Sequence, residues 1–265
     1  MKYLIKDLAE ITGLSPARIR KWQERFRILE PETGSNGYHY YTNEDLFVLT
    51  NISRELEKGS PLNAVIKRGR GALLEPPADG EFTREEWNLI TAISSGAFQQ
   101  LATYMRGMKT GSIKTWVKNH LHPLVVLVGR AWQRGVLKVS DEHAFSRWFQ
   151  GFFMESVAHL QRDARPNWLV AVHPDDEHEL GALMHYGILL EYGVAARFCG
   201  RLPENELTRE LQAHPYRKVT ISVINPRGMD ELNRLKERIR NVEPGVSVVF
   251  GGGGYRRGRE TARAS

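Results

Sequence analysis

Cysteine is almost missing from this chain of 265 residues, in which Cys199 is the only one. A single cysteine excludes an internal disulfide and any zinc or iron–sulfur site built from several cysteines. We expect Cys199 to be a small buried residue on a strand. Long apolar runs are also missing, since a run such as Leu124–Val128 falls far short of the ~20 residues of a transmembrane helix. Met1–Glu10 has no apolar stretch of the signal-peptide kind, so we expect a cytoplasmic protein with no membrane partner.

Neither sign of charge dominates, because 37 Lys and Arg residues stand against 31 Asp and Glu residues for a net charge of +6. The length predicts two or three domains, and a hydrophobic content of 41% excludes wholesale disorder. The cations are unevenly distributed, and five of them within ten residues are opposed there only by Glu24. These five are Arg18, Arg20, Lys21, Arg25 and Arg27. Such a cluster is compatible with binding to nucleic acid.

The first segment, residues 1–74, has the pattern of a winged helix-turn-helix domain. Apolar residues keep helical spacing up to Thr12-Gly13, a pair typical of helix ends. Ser15-Pro16 predicts the start of a second helix, and two short helices joined by a tight turn form a helix-turn-helix. Residues 34–41 then predict a turn and a short aromatic strand, which together make a wing. Thr42 and Asp45 predict the cap of the next helix.

The second segment is predicted to be helical throughout. It follows Glu75–Gly80, a polar stretch with two prolines that predicts a linker. Residues 81–163 keep a helical pattern with breaks near Gly107–Gly111, at His122-Pro123 and at Gly135–Ser140. Four helices with short connections predict an antiparallel four-helix bundle.

The third segment, residues 164–265, alternates strands with helices. Strands are predicted at Trp168–Val172, Val194–Cys199, Val219–Ile224 and Val246–Phe250. This alternation predicts βαβ units and a Rossmann-like parallel sheet that binds ligands at the carboxyl ends of its strands. The fold class expected for the whole chain is therefore multidomain α and α/β.

The first segment resembles the MerR family of transcription regulators over nearly its whole length. Ile19-Arg20-Lys21-Trp22-Gln23-Glu24-Arg25-Phe26 is followed by Pro31, Gly37-Tyr38-His39-Tyr40-Tyr41 and Glu44-Asp45-Leu46. A winged helix-turn-helix places its second helix in the major groove and its wing on the flanking backbone. Cations and amides there suit contacts to phosphates and base edges of an operator in double-stranded DNA. The DNA-binding residues expected are Arg18, Arg20, Lys21, Gln23, Arg25, Tyr38, His39 and Tyr40. Trp22 resembles the branch of CarA, CarH and LitR, and His39 replaces the arginine usual in the wing.

A histidine follows the first predicted strand of the third segment, within Asp176-Glu177-His178-Glu179-Leu180-Gly181. At the carboxyl end of a strand, His178 can bind a metal through one ring nitrogen while Asp176 orients the other. Gly181 lets a bulky group approach the following helix. Ser222 and Gly251-Gly252 end two later strands, and their small size predicts a slot for a nucleotide tail. By itself, the motif is more commonly a surface histidine near carboxylates.

The spacing of these three fragments resembles cobalamin-binding domains that hold the cofactor with its base detached from cobalt. The resemblance implies that His178 is the lower cobalt ligand and that Ser222, Gly251 and Gly252 line the channel of the dimethylbenzimidazole. Trp132, followed after nine residues by Glu142-His143, resembles the signature of CarH-like photoreceptors. In that family these residues form the cap over the upper face of adenosylcobalamin.

The resemblance across all three segments implies a cobalamin-dependent, light-responsive transcription repressor rather than an enzyme. Adenosylcobalamin would favour a homo-oligomer, a tetramer in relatives, that presents several DNA-binding heads, and light would reverse this by cleaving the cobalt–carbon bond. Gln133 stands where some relatives have a second cobalt-binding histidine, so a stable bis-histidine adduct is not expected. Such domains continue into a fifth strand and helix where this chain ends with Tyr255–Ser265, so an incompletely walled slot is expected.

Three alternatives remain open at this point. A regulator of the same family that has lost its cofactor or light response would share every motif. A cobalamin enzyme or corrinoid carrier would share the ligand motif, but it needs a substrate module where this chain has a winged helix. A multidrug-sensing MerR regulator would leave the Asp-His-Gly, Ser and Gly-Gly spacing unexplained.

Overall fold

The structure, a computed structural model, describes residues 2–57, 59–74 and 82–256. The predicted linker Glu75–Gly80 and the end of the chain from residue 257 lie outside the described residues. The strands are β1 (Lys2–Tyr3), β2 (Glu32–Thr33), β3 (His39–Thr42), β4 (Trp168–Val172), β5 (Ala196–Arg201), β6 (Lys218–Ser222) and β7 (Ser247–Gly251). The helices are α1 (Ile5–Thr12), α2 (Pro16–Phe26), α3 (Asn43–Glu57), α4 (Leu62–Lys67), α5 (Gly69–Leu74), α6 (Arg84–Ser94), α7 (Phe98–Gly107), α8 (Ile113–Trp116), α9 (His122–Gln133), α10 (Val139–Val157), α11 (Leu180–Glu191), α12 (Glu204–Ala213) and α13 (Met229–Val242).

Contacts within the chain divide it into two compact units. The first unit consists of Met1–Met108 and Pro123–Phe145, and the second of Lys109–His122 and Ser146–Ser265. The domain boundaries expected from the sequence, 1–74, 81–163 and 164–265, stay a prediction. The multidomain α and α/β fold class is confirmed. Of the described helices, none combines the length and the apolar character that a membrane span requires.

The helix-turn-helix and the wing form as the sequence predicts. α1 ends at Gly13, whose φ of 68° is the left-handed conformation typical of a glycine after a helix. The Ser15 hydroxyl accepts a hydrogen bond from the Arg18 amide at 3.2 Å, and Pro16 begins α2. β3 pairs antiparallel with β1 and β2. The wing is therefore anchored through the central strand of a three-stranded sheet.

A buried carboxylate joins α3 to the segments around it. Asp45 accepts backbone hydrogen bonds from Thr42 and Glu30, each at 2.8 Å. The Arg70 guanidinium donates to Asp45 at 2.8 Å and to the Ile28 carbonyl at 2.7 Å. The cap predicted from Thr42 and Asp45 is therefore present, and its second partner, Arg70, is one that local sequence rules do not reveal.

The helical segment follows its predicted breaks at Gly107–Gly111 and at Gly135–Ser140, but the break predicted at His122-Pro123 was wrong. There the helix continues from α8 into α9 through a π-helical turn, Val117–Leu121. The His122 amide donates to the Val117 carbonyl, five residues earlier. This wider turn changes the hydrogen-bond pattern just before Pro123, which has no amide hydrogen to donate, and the helix accommodates the proline without ending.

The second unit contains a parallel sheet in the strand order β5-β4-β6-β7. α12 and α13 pack on the side that carries Leu169, Ala171, Val219 and Ile221. α11 packs on the other side, where Tyr186 contacts Phe198 of β5 with ring centroids 5.9 Å apart. Cys199 lies on β5 as predicted, although it is half-buried rather than buried.

Because helices on opposite sides follow β4 and β6, the crevice between the ends of these two strands is the switch point of the sheet, where such folds bind ligands.

Candidate functional site

The cations expected to contact DNA lie on the exposed surface of α2. Arg18, Arg20, Lys21 and Arg25 are all exposed. The Arg18 guanidinium lies 5.4 Å from the centroid of the Trp22 ring, and that of Arg25 lies 5.1 Å from the centroid of Phe26. These cation–π contacts restrain both guanidinium groups on the helix. Trp22 itself is buried, which agrees with a role in core packing.

The wing and α2 enclose a groove. Its volume is about 490 Å³, and Arg20, Tyr38 and His39 are among its lining residues. Tyr38 is 62% exposed, whereas the Nδ1 of His39 lies 3.1 Å from the Thr33 hydroxyl.

Two of the predicted DNA-binding residues also hold the groove together. Gln23 accepts a hydrogen bond from the Tyr41 hydroxyl at 2.7 Å, and Tyr40 accepts one from the Asn36 amide at 3.0 Å. The first bond ties α2 to the wing, and the second fixes Tyr40 within the wing.

The loop between β4 and α11 is fastened to the neighbouring β6 loop by Asp176. This fully buried carboxylate accepts backbone hydrogen bonds from Ile224 at 2.8 Å and Asn225 at 3.3 Å. It also accepts one from the Asn225 side chain at 2.7 Å, and the Arg227 guanidinium lies 3.4 Å away. Asp176 therefore joins the loop after β4 to the loop after β6. None of these partners has a sequence signal that would have identified it.

Glu179 fastens the same loop on the other side. One of its oxygens accepts a hydrogen bond from the Arg201 amide at 2.7 Å, and the other accepts one from the Gln150 side chain at 3.1 Å. In the sequence, His178 lies between Asp176 and Glu179, and its side chain is exposed. A short loop held at both ends thus presents an exposed imidazole at the switch point of the sheet.

Ser222 and Gly251 are neighbours on one face of the sheet. They are register partners at the carboxyl ends of β6 and β7, and Val172 of β4 is the partner of Ser222 on its other side. A Cβ atom built at Gly251 would meet no described atom within 4 Å. At Gly181, where α11 begins, such an atom would meet only the Ile224 side chain, at 4.0 Å. The predicted small residues therefore border open space at this edge.

Gly252, the second glycine of the predicted pair, is required by the backbone itself. Its φ is 97°, and a Cβ atom there would lie 2.3 Å from the Val223 carbonyl oxygen. A Cβ atom built at Gly254 would clash in the same way with the Asn225 carbonyl oxygen, and the Gly254 amide donates to the Val223 carbonyl at 3.0 Å. The chain after β7 therefore packs directly on the backbone after β6.

In the first unit, a compact turn connects the helix that carries Trp132 with the helix that carries Glu142 and His143. Gly135 has a φ of 68°, and the amides of Gly135 and Val136 donate to the carbonyls of residues 132 and 131, which is the Schellman pattern. The Trp132 side chain is 41% exposed. Glu142 and His143 lie near the start of α10, with 3.6 Å between the Glu142 carboxylate and the Nε2 of His143. The predicted residues thus lie on the two helix ends that this turn joins.

A second cluster of potential metal ligands lies beside the crevice. One ligand atom from each of His173, Asp175 and Glu231 lies within 4.8 Å of the others. The Arg227 guanidinium already pairs with both carboxylates, at 3.0 Å from Glu231 and 3.6 Å from Asp175. Burial and Arg227 lower the pKa of His173, and its Nδ1 accepts a hydrogen bond from the Asp175 amide at 3.3 Å. An ion-pair network with its own cation is a poor site for a metal ion.

Comparison with known proteins agrees with this arrangement. Residues 3–68 match the family model of the MerR HTH family regulatory protein. The HTH-type transcriptional repressor CarH of Myxococcus xanthus is 26% identical over 96% of this chain and 90% of its own length. The HTH-type transcriptional regulator MlrA of Escherichia coli strain K12 is 22% identical over 44% of this chain and 42% of its own length. The chain therefore contains a MerR-type helix-turn-helix domain and is similar to the CarH repressor along most of its length, as expected for a transcription regulator rather than an enzyme.

Proposed function

We propose that this regulator is a cobalamin-dependent, light-responsive repressor whose cofactor is adenosylcobalamin. The observation that carries the proposal is the convergence of His178, Ser222 and Gly251 at one edge of the sheet. These residues are far apart in the sequence, and an exposed imidazole beside open space is what a large, metal-containing ligand requires. The resemblance to the CarH repressor supports the same conclusion.

The residues at this edge fit the cofactor in their chemistry, and open space lies beside them. An imidazole nitrogen is a good ligand for a transition metal such as cobalt. The His178 side chain is exposed, so a ligand can reach it. The open space at Gly251 and Gly181 lies on the side of the sheet that a nucleotide tail would follow. When bound, adenosylcobalamin supplies a cobalt–carbon bond that visible light cleaves.

Each residue has a distinct role in this proposal. His178 would hold the cobalt, while Asp176 and Glu179 keep its loop in place. Ser222 and Gly251 line the slot for the nucleotide tail, with Gly252 as part of its wall and Gly181 as its entrance. In the first unit, Trp132, Glu142 and His143 recognise the adenosyl group.

The regulatory output is a change of assembly state. A ligand shifts an equilibrium only when it binds one state more tightly than the other, and here the favoured state is a homo-oligomer. Linking several DNA-binding heads raises their effective concentration and can strengthen binding by ~10²–10⁴ without new contacts. Trp132, Glu142 and His143 would bind the adenosyl group only while it is present, so the preference for the oligomer would depend on it.

Arg20→Ala and Lys21→Ala are each expected to weaken DNA binding and to leave cobalamin uptake unchanged. Both side chains are exposed on α2, where they reach phosphates. Each lost phosphate contact lowers the slope of log affinity against log salt by ~0.9. Fluorescence anisotropy with a random-sequence DNA duplex at several salt concentrations measures this slope without knowledge of the operator.

Arg209→Ala is the matched control, because Arg209 is an exposed cation on α12. Its salt slope is expected to equal that of the unaltered protein. If Arg20→Ala and Lys21→Ala both left the slope and the affinity unchanged, α2 would not be the helix that contacts DNA.

Trp132→Ala is expected to weaken adenosylcobalamin binding about tenfold or more and to abolish the oligomer that the cofactor induces. Burying a large apolar side chain against a ligand contributes ~1.5–3 kcal/mol, and Trp132 is 41% exposed in the structure. Hydroxocobalamin has no adenosyl group, so its affinity is expected to change little. Equilibrium dialysis with both corrinoids and size-exclusion chromatography in darkness test this.

The control for this substitution is Tyr192→Ala, which removes another exposed aromatic side chain. It is expected to change neither corrinoid affinity nor assembly. Equal losses of adenosylcobalamin and hydroxocobalamin in Trp132→Ala would show that the indole does not recognise the adenosyl group.

Gln133 determines what remains after illumination. A glutamine amide is a much poorer cobalt ligand than an imidazole. The illuminated protein is therefore expected to lack the stable spectrum of a bis-imidazole corrinoid and to exchange its cobalamin readily.

A further inference from the structure

A histidine with an unsatisfied ring nitrogen lies beside the proposed nucleotide slot. His185 belongs to α11, and its Nε2 is buried without a hydrogen-bond partner among the residues that the structure describes. Buried polar atoms are nearly always paired in folded proteins, and leaving one unpaired is unfavourable. An atom of this kind indicates a partner that the described residues do not supply.

The side of α11 that carries His185 is turned toward β6. His185 follows Gly181 by one helical turn, and the Cβ position of Gly181 lies 4.0 Å from the Ile224 side chain, just after β6. Burial and the Lys218 ammonium at the start of β6 lower the pKa of His185. The imidazole is therefore neutral at physiological pH, with one nitrogen that donates and one that accepts.

The facing surface of the sheet is polar at the same depth. Ser222, Thr220 and Lys218 alternate along one face of β6, and Thr220 accepts a hydrogen bond from the Trp168 indole at 2.9 Å. Val249 of β7 is the register partner of Thr220 and lies on the same face of the sheet. It is 40% exposed, so the described residues do not cover this part of the face.

His185 lies one helical turn, about 6 Å, along α11 from Gly181. Thr220 lies two residues, also about 6 Å, along β6 from Ser222. A planar group entering at Ser222 and Gly251 therefore reaches the level of His185 after about 6 Å.

We propose that His185 donates a hydrogen bond from Nε2 to the free ring nitrogen of the cofactor's base and thereby determines which base the protein accepts. This rests on the proposed function, because the base is free to enter the slot only when His178 replaces it on cobalt. An aromatic base with an acceptor nitrogen satisfies Nε2. A base without such a nitrogen leaves Nε2 unpaired, so the site discriminates against it.

The test compares His185→Leu with the unaltered protein for three corrinoids. These are cobalamin, a cobamide whose base is a phenol without a ring nitrogen, and cobinamide, which has no nucleotide. Equilibrium dialysis gives each affinity. We expect His185→Leu to weaken cobalamin binding about three- to tenfold, the usual effect of one hydrogen bond, with no change for the phenolic cobamide or cobinamide. His185→Gln, whose amide nitrogen can donate from a similar position, is expected to restore most of the cobalamin affinity.

The outcomes separate this proposal from the one on which it rests. If the unaltered protein bound neither cobalamin nor cobinamide, the proposed function would fail. If it bound both, but His185→Leu weakened all three corrinoids equally or none of them, only the role of His185 would be overturned. A thermal unfolding curve for His185→Leu no lower than that of the unaltered protein, as expected when an unpaired buried atom is removed, excludes a folding defect. If His185→Leu did not fold, His185→Asn replaces it in the test, because its shorter amide cannot reach the same point. If folded His185→Asn preferred cobalamin over the phenolic cobamide as strongly as the unaltered protein does, the proposal would also be contradicted.

Discussion

His178→Ala is expected to reduce cobalamin binding more than about 100-fold, because it removes the proposed nitrogen ligand of cobalt. Even the hydrogen-bonding partners of metal ligands contribute ~10–100-fold to metal affinity, so the ligand itself contributes at least as much. The loop should keep its conformation, since Asp176 and Glu179 fasten it independently of the His178 side chain. Equilibrium dialysis with hydroxocobalamin and the visible absorbance spectrum of the bound corrinoid measure the effect.

His159→Ala serves as the control, because His159 is also an exposed histidine of the second unit. It is expected to bind cobalamin with unaltered affinity and an unaltered spectrum. Retention of the cofactor by His178→Ala with the same spectrum would show that His178 is only a surface histidine. The convergence of Ser222 and Gly251 would then need a different ligand.

The pair formed by Asp45 and Arg70 is expected to contribute strongly to the stability of the first unit. Arg70→Met is expected to lower the free energy of unfolding of the first unit by ~3–5 kcal/mol, the cost of leaving a buried charge without its partner. Asp45 is completely buried, and Arg70, which pairs with it at 2.8 Å, is 14% exposed. Methionine keeps much of the length of the arginine side chain and removes the guanidinium. Denaturant unfolding of the full chain, followed by circular dichroism, measures the change.

Arg84→Met is the matched control, since Arg84 pairs with Glu44 at the surface. Surface ion pairs contribute ~0–1 kcal/mol, so this substitution should have little effect. The double substitution Asp45→Asn with Arg70→Met is expected to recover part of the loss, because it removes the unpaired charge. If Arg70→Met cost no more than Arg84→Met, the buried pair would not be what stabilises this part of the fold.

Local signals in the sequence were sufficient for most of the elements. Ser15, Pro16 and Gly13 act within one helical turn, and the structure confirms the helix ends that they predict. The ends of the four strands of the second unit were predicted to within about two residues, because β-branched and apolar residues cluster between polar turns. Pro123 was misjudged because the rule that a proline ends a helix assumes the usual α-helical bonding, and the π-helical turn before it changes that bonding.

The residues of the candidate site could be grouped from the sequence because of the geometry of a parallel sheet. The carboxyl ends of parallel strands meet at one edge, so residues after each strand could be grouped without knowing any contact. Glu179 and His185 could not be found in this way. Glu179 pairs with Gln150 and with the Arg201 amide, and His185 is defined by a missing partner rather than by a motif. Such properties depend on residues that only the tertiary fold brings together.

Size-exclusion chromatography in darkness and in light shows whether adenosylcobalamin controls the assembly of this regulator. The purified protein is mixed with adenosylcobalamin in darkness, and its elution volume and absorbance spectrum are recorded by size-exclusion chromatography before and after green illumination. Light-dependent assembly predicts co-elution of the corrinoid with a larger assembly in darkness, and return to the elution volume of the cofactor-free protein after illumination. An identical elution volume with and without adenosylcobalamin, in both lighting conditions, would contradict it.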